Sequence, residues 1–327
     1  MAHHAGSGGV QAQEMEAYME AVSAATDYNI DVTYYHDAEL CPPNEQAMCA
    51  ADGRIDITQV LPTYHPGEFP MSTVGSLGFL DIPDAAGLAL MDLWGSDDAV
   101  KAEWESQNLV PLFPISVGDY TLGVNGALES FDDMSGLRVR AIGASAASLA
   151  SVGADPSALA APEIYESMQR GVLDGWSIPI DYALTQGFEE VTSHIYDIGL
   201  GPALTSMFAI NADKWASLPE DLQQTFLEVA DDFAVEAWDT YMVPTIQDLC
   251  VDAKSHLEYV GVLEDGREDF MATGLEITTK DWIDNVAGNK VDDPQELVDR
   301  YRGKVDDWEA KLSDGFVSTA AACGSVL

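Results

Sequence analysis

Two arginines spaced two residues apart, Arg138 and Arg140, lie in the run Gly136-Leu137-Arg138-Val139-Arg140-Ala141-Ile142. The run reads as a β-strand, which sends both guanidiniums out on one face. Such a pair is conspicuous, because only 14 Lys and Arg accompany 56 Asp and Glu, for a formal net charge of −42. A guanidinium held over a cleft presents a planar fork that gives a carboxylate two parallel, charge-assisted hydrogen bonds. A surface ion pair with one of the abundant acids would use the same residues, and the residues alone leave both readings open.

Other chemistry is poorly represented. The chain holds no G-x-S-x-G elbow, no G-x-x-x-x-G-K-[ST] loop, no H-E-x-x-H and no G-x-G-x-x-G after a strand, so no enzymatic activity is expected. The histidines are His3, His4, His36, His65, His194 and His256. Only the first two are neighbours, and adjacent residues do not converge on one tetrahedral metal, so neither metal nor cofactor is expected. Acidic pairs such as Asp132-Asp133, Asp231-Asp232 and Asp292-Asp293 follow from composition and read as solvated surface.

The acids are spread along the whole chain. With no basic stripe to neutralise phosphates, nucleic acid is excluded as a partner, and anionic lipid is repelled. A salt-rich habitat would screen the self-repulsion of such a surface. No run of 18 apolar residues occurs; the most apolar stretch, Thr73 to Trp94, is interrupted by Asp81, Asp84 and Asp92, so no membrane insertion is expected. The opening Met1-Ala2-His3-His4-Ala5-Gly6 has neither the basic start nor the apolar middle of a secretory signal, so a leader is either removed or absent. Cys41, Cys49, Cys250 and Cys323 allow three pairings, and pairing Cys41 with Cys49 leaves Cys250 with Cys323. Two disulfides fit an oxidising compartment, whereas four small buried thiols would fit a reducing one.

The elements that must position these residues alternate. Apolar spacing predicts a helix over Val10 to Ala24 and an alternating strand over Ile30 to Tyr35. A helix from Pro42 to Ala51 closed by Gly53 and a strand over Ile55 to Val60 follow. Pro83 to Gln107 reads as helix, and Leu109 to Val117, Tyr120 to Val124 and Arg138 to Ile142 as strands. Ala144 to Val152 and Pro162 to Arg170 read as helices. A long helix from near Pro219 to about Tyr259 should kink at Pro244, and Asp269 to Leu312 is helical. The alternation predicts a mostly parallel α/β sheet.

The ordered set of motifs resembles the substrate-binding proteins of tripartite ATP-independent periplasmic (TRAP) transporters of the DctP type. The family pattern runs G-L-K-[LIV]-R-V-P, G-A-x-P, then E-V-Y-x-A-L-Q-x-G-V-V-D-G. Here stand Gly136-Leu137-Arg138-Val139-Arg140, Gly153-Ala154-Asp155-Pro156, and Glu163-Ile164-Tyr165-Glu166-Ser167-Met168-Gln169-Arg170-Gly171-Val172-Leu173-Asp174-Gly175. Phe188-Glu189-Glu190-Val191, the stretch Asn211 to Gln223, and Asp52-Gly53-Arg54-Ile55-Asp56-Ile57 extend the match over roughly residues 1 to 260.

The resemblance implies a two-lobed periplasmic-binding-protein-like fold with a hinge, a ligand cleft between the lobes and a long kinked helix spanning both. It divides the chain into a first lobe of 1–122 plus about 208–250, a second of 123–207 plus about 251–300, and a C-terminal segment 301–327. Arg140 matches the family arginine that clamps a ligand carboxylate, with Arg138 farther away on the same strand. His4, Tyr64, Tyr120, Trp176, Ile178 and Asp181 occupy positions where the family contacts the ligand. Ala161 and Ile178 replace a stacking phenylalanine and an amide of the sialic-acid branch, which disfavours a polyhydroxylated sugar acid. Ile142 stands where the family has proline. The implied function is delivery of a small organic acid to an integral-membrane TRAP permease from the periplasm or cell exterior. The rivals are a ligand-sensing module for a signalling receptor, a self-assembling extracellular structural protein, and a hydrolase or lyase using His4 and Tyr64.

Overall fold

The computed structural model describes every residue except 4–8, 160–162 and 289. Among the described residues nine strands form two sheets. They are β1 (Ile57–Val60), β2 (Leu109–Ile115), β3 (Tyr120–Val124), β4 (Arg138–Arg140), β5 (Asp155–Ser157), β6 (Gly175–Pro179), β7 (His194–Asp197), β8 (Ser206–Asn211) and β9 (Tyr259–Val262). Helices α1 (Val10–Ala24), α2 (Gln46–Ala51), α3 (Asp84–Ser96) and α4 (Asp98–Ser106) precede β2. Helices α5 (Gly143–Ser151), α6 (Ile164–Gln169) and α7 (Ile180–Thr185) alternate with the middle strands. Beyond β8 come α8 (Ala212–Ser217), α9 (Glu220–Ala237), α10 (Val243–Ala253), α11 (Arg267–Asp281), α12 (Pro294–Leu312) and α13 (Thr319–Gly324).

The molecule has two lobes, one around each sheet. The first sheet runs β1-β8-β2 and the second β5-β4-β6-β3-β7-β9. The first is wholly antiparallel and the second is mixed, with three parallel and two antiparallel pairs, which corrects the sequence expectation of a mostly parallel sheet for the first. Strand β8 lies antiparallel to both of its neighbours, and so does β3. The remaining pairs, β4 with β5 and β6, and β7 with β9, are parallel. The physical reason is the crossover: β3 is reached from the first sheet and β8 from the second, so each enters its sheet from the end opposite its neighbours.

Period-two side chains separate the two faces of each sheet. Phe208 and Ile210 of β8 join Tyr18, Phe113 and Phe226 beneath α1 and α9, while Met207 and Ala209 join Leu90, Trp104 and Tyr301 beneath α3, α4 and α12. In the second sheet Trp176, Ile178 and Ile195 face α6, α7, α10 and α13, and Leu122, Val139 and Tyr196 face α5 and α11. Helix α9 thus serves the first core and α10 the second, joined through a π-helical turn, Trp238–Met242, just before Pro244, whose missing N–H cannot continue a regular ladder. This long helix ends at Ala253, and Tyr259 opens β9 instead. The later helices divide, α11 packing on α5 and α12 on α3.

Two other expectations change. The helix expected over Pro83 to Gln107 is broken at Asp97, whose carboxylate caps α4 by accepting from the Ala99 and Val100 N–H groups at 2.9 and 3.2 Å. The strand expected over Ile30 to Tyr35 is extended chain, bridged among the described residues at Tyr35 to Ala2. Both disulfides are formed, Cys41–Cys49 and Cys250–Cys323, the second fastening α13 to α10. Among the described residues no helix is long and apolar enough to cross a membrane.

Candidate solute-binding site

Arg140 is the last residue of β4, set beside Ser157 of β5 and Trp176 of β6. Only 4% of it is exposed. Its Nε donates to the Leu159 carbonyl at 3.0 Å and its Nη1 to the Ser177 carbonyl at 3.3 Å. No carboxylate among the described residues pairs with it, in a chain with 56 acids. The groups that act on its charge are instead three phenols, Tyr120, Tyr182 and Tyr64; burial lowers the guanidinium pKa and the phenols oppose that shift. Arg138 behaves otherwise. It is half exposed and gives Asp174 a two-pronged contact, Nε to Oδ2 at 2.8 Å and Nη2 to Oδ1 at 2.7 Å.

The phenols come from both lobes. Tyr64 ends a 3₁₀ turn, Pro62–Tyr64, just after β1 of the first sheet, and is 47% exposed. Tyr120 opens β3 and is buried; desolvation pushes its hydroxyl up to about 12, against the pull of Arg140. Tyr182 lies in the first turn of α7, directly after Asp181. Sequence reasoning missed Tyr182, although its adjacency to Asp181 was a usable signal.

Asp181 is the second residue after β6. Desolvation raises its carboxyl to about 6, and its Oδ1 is buried without a hydrogen-bond partner. It acts on Tyr120, which places it near the Arg140 group. Ser177, whose carbonyl receives Arg140, also has a buried hydroxyl without a partner.

Trp176 and Ile178 sit differently. Trp176 is fully buried, donates its indole N–H to Thr192 Oγ1 at 2.7 Å and packs on Phe188. It also lies against Gly123 of β3, where a Cβ would fall 2.2 Å from the indole ring, so only glycine lets the ring cover that strand. Ile178 points into the same apolar cluster. His4 and Ala161 lie outside the described residues. No group of three His, Cys, Asp or Glu that could hold a metal occurs among the described residues.

Two sheets exchanging one strand each, a helix shared by both cores and a buried arginine felt by phenols of both lobes define a two-lobed solute receptor. The profile of DctP, the bacterial extracellular solute-binding proteins of family 7, matches residues 1–248. The chain belongs to that family and is a TRAP-type solute-binding protein. It is similar to the C4-dicarboxylate-binding periplasmic protein DctP of Rhodobacter capsulatus, 25% identical over 219 residues that cover 65% of this chain and 64% of that protein. A TRAP periplasmic solute binding protein from Desulfovibrio salexigens, solved as an open complex, superposes with a TM-score of 0.82 at 22% identity, covering 95% of this chain and 96% of that one. A marine metagenome TRAP solute binding protein specific for aromatic acid ligands, solved with metahydroxyphenylacetate, gives a TM-score of 0.77 at 20% identity over 94% of this chain and 98% of that one.

Proposed function

We propose that this receptor captures a small organic carboxylate on Arg140 and delivers it to a TRAP permease in the membrane, acting in the periplasm or at the cell exterior without catalysis. The observation that carries the reading is a buried guanidinium with no carboxylate partner among the described residues of a strongly acidic protein. Two of its five N–H groups serve the Leu159 and Ser177 carbonyls, leaving the outer fork to accept an anion. Tyr64, Tyr120 and Tyr182 favour a ligand with an apolar or ring-bearing body, and Asp181 supplies an acceptor, or a donor when protonated. The ligand classes of two relatives, a C4-dicarboxylate and an aromatic acid, support a carboxylate.

One charge-assisted pair supplies roughly 1.5–3 kcal/mol, whereas micromolar binding needs about 8 kcal/mol. Closure of the first lobe, bringing Tyr64 over the ligand and excluding water, provides the difference. A thermal-shift screen of organic acids in high salt tests this, since a ligand that binds the folded form raises the melting temperature by mass action. Saturable stabilisation by a carboxylate, absent in Arg140→Ala, is expected; stabilisation that survives the substitution would remove Arg140 from the reading.

A further inference from the structure

The first crossover between the lobes, Ser116 to Asp119, links β2 to β3 and gathers carboxyl groups from both lobes. Glu14 of α1 is fully buried; one of its oxygens, Oε2, accepts the Ser116 N–H at 3.0 Å, and the other, Oε1, has no partner. Asp84, at the first turn of α3, accepts from the Ser116 hydroxyl at 3.1 Å. Both belong to the first lobe. Asp181, on α7 of the second, lies against the same crossover: a Cβ on Gly118 would fall 2.7 Å from Asp181 Oδ1, itself unpartnered.

Glu14 joins the set, feeling both Asp84 and Asp181. The other groups facing them are also acidic or phenolic. Asp84 feels Asp119 of the crossover and Asp239 of the π-helical turn, Glu14 acts on Tyr241 of that turn, and Asp181 acts on Tyr120. The cations nearby are Arg267 of α11, which serves Asp119 and Asp197, and Arg140, which acts on Tyr120 just beyond the crossover. Desolvation raises the carboxyls of Glu14, Asp84 and Asp119, the last two to about 7. Buried carboxyls of like charge without a cation retain protons, and separating them releases those protons.

We propose that this crossover is a proton-dependent hinge: Glu14, Asp84 and Asp181 share bound protons when the two lobes bring them together, and losing those protons favours an arrangement that moves Asp181 away from Glu14. The sign follows from linkage. The arrangement that binds more protons is favoured at low pH and loses its advantage as pH rises through the titration of the cluster. The inference rests on the two-lobed receptor reading only in that the lobes move, and it makes no use of the ligand.

The test uses the whole, ligand-free protein in high salt, which screens the surface charge. Spin labels are placed at two exposed positions, Ser96 in the first lobe and Val172 in the second, through Ser96→Cys and Val172→Cys. Distances between them are measured by pulsed electron resonance from about pH 5 to about pH 9. The expected result is a distance distribution that changes between about pH 6 and about pH 8 and changes less in Glu14→Gln and in Asp84→Asn. Two substitutions are used so that one misfolded variant, detected by circular dichroism, still leaves the other to decide. A distribution constant across the range, or a pH response unaltered in a folded variant, overturns the proposal. Persistence of carboxylate-induced stabilisation in the same samples would leave the receptor reading standing while the hinge falls.

Discussion

Replacing Arg140 by lysine separates charge from geometry. The guanidinium has five N–H donors; Nε is spent on Leu159 and one Nη1 proton on Ser177, so three remain and two of them form the Nη1/Nη2 fork. An ammonium has three donors on one atom. Lysine that satisfies both carbonyls keeps a single proton for the ligand, and lysine that turns to the ligand abandons two carbonyls. Either way at least one charge-assisted hydrogen bond is lost, about 1.5–3 kcal/mol, which corresponds to a dissociation constant roughly 10- to 150-fold weaker. Calorimetric titration of Arg140→Lys and Arg140→Ala with the carboxylate that stabilises the parent protein most measures the loss directly. Lysine should fall between arginine and alanine. Binding by Arg140→Lys within about twofold of the parent would show that charge alone suffices and would refute the fork argument.

The two disulfides should differ in value, because a longer closed loop restricts the unfolded chain more. Sequence separations of 73 and 8 residues give about 4.4 kcal/mol for Cys250–Cys323 and about 2.5 kcal/mol for Cys41–Cys49 on the chain-entropy relation. Urea unfolding of the two double-alanine variants checks the order, and an equal or larger loss at Cys41–Cys49 would contradict it. Stability should also fall as pH rises. Asp84 and Asp119 are raised to about 7 and Asp181 to about 6, so the folded protein holds more protons than the unfolded chain between about pH 4 and about pH 7. The contribution is fully present below about pH 4 and is lost through the folded values, on the order of a few kcal/mol. Denaturant unfolding in high salt at about pH 5 and about pH 8 should show the drop, diminished in Asp84→Asn; equal stability at both would disprove it.

Much of the framework was legible from residue order. The run from Gly136 to Ile142 announced a strand with both arginines on it, and Tyr120 to Val124 has the predicted bounds. The resemblance singled out Arg140, but the physical difference between it and Arg138 was not legible in the residues. Both are arginines on one strand, yet Asp174 neutralises one while the other is enclosed by backbone carbonyls and phenols. The acidic pairs read as solvated surface are partly local caps: Asp133 accepts from the Glu129 and Ser130 N–H groups, and Asp293 caps α12. Trp176 and Ile178 lie on β6, for which the sequence reading named no strand, and their side chains are committed to the core of the second lobe.

The sequence by itself determined most of the local elements, the family and the cationic strand, because periodicity, turn residues and ordered motifs are properties of near neighbours along the chain; which cysteines pair came only with the fold. Tertiary structure alone decided the antiparallel entry of β3 and β8, the phenols assembled around Arg140 and the carboxyls assembled at the crossover. Glu14, Asp84, Asp119 and Asp181 are far apart in sequence and look like any other members of a population of 56 acids. Their chemistry depends on desolvation and mutual proximity, quantities that exist only once helices from both lobes close around Ser116 to Asp119.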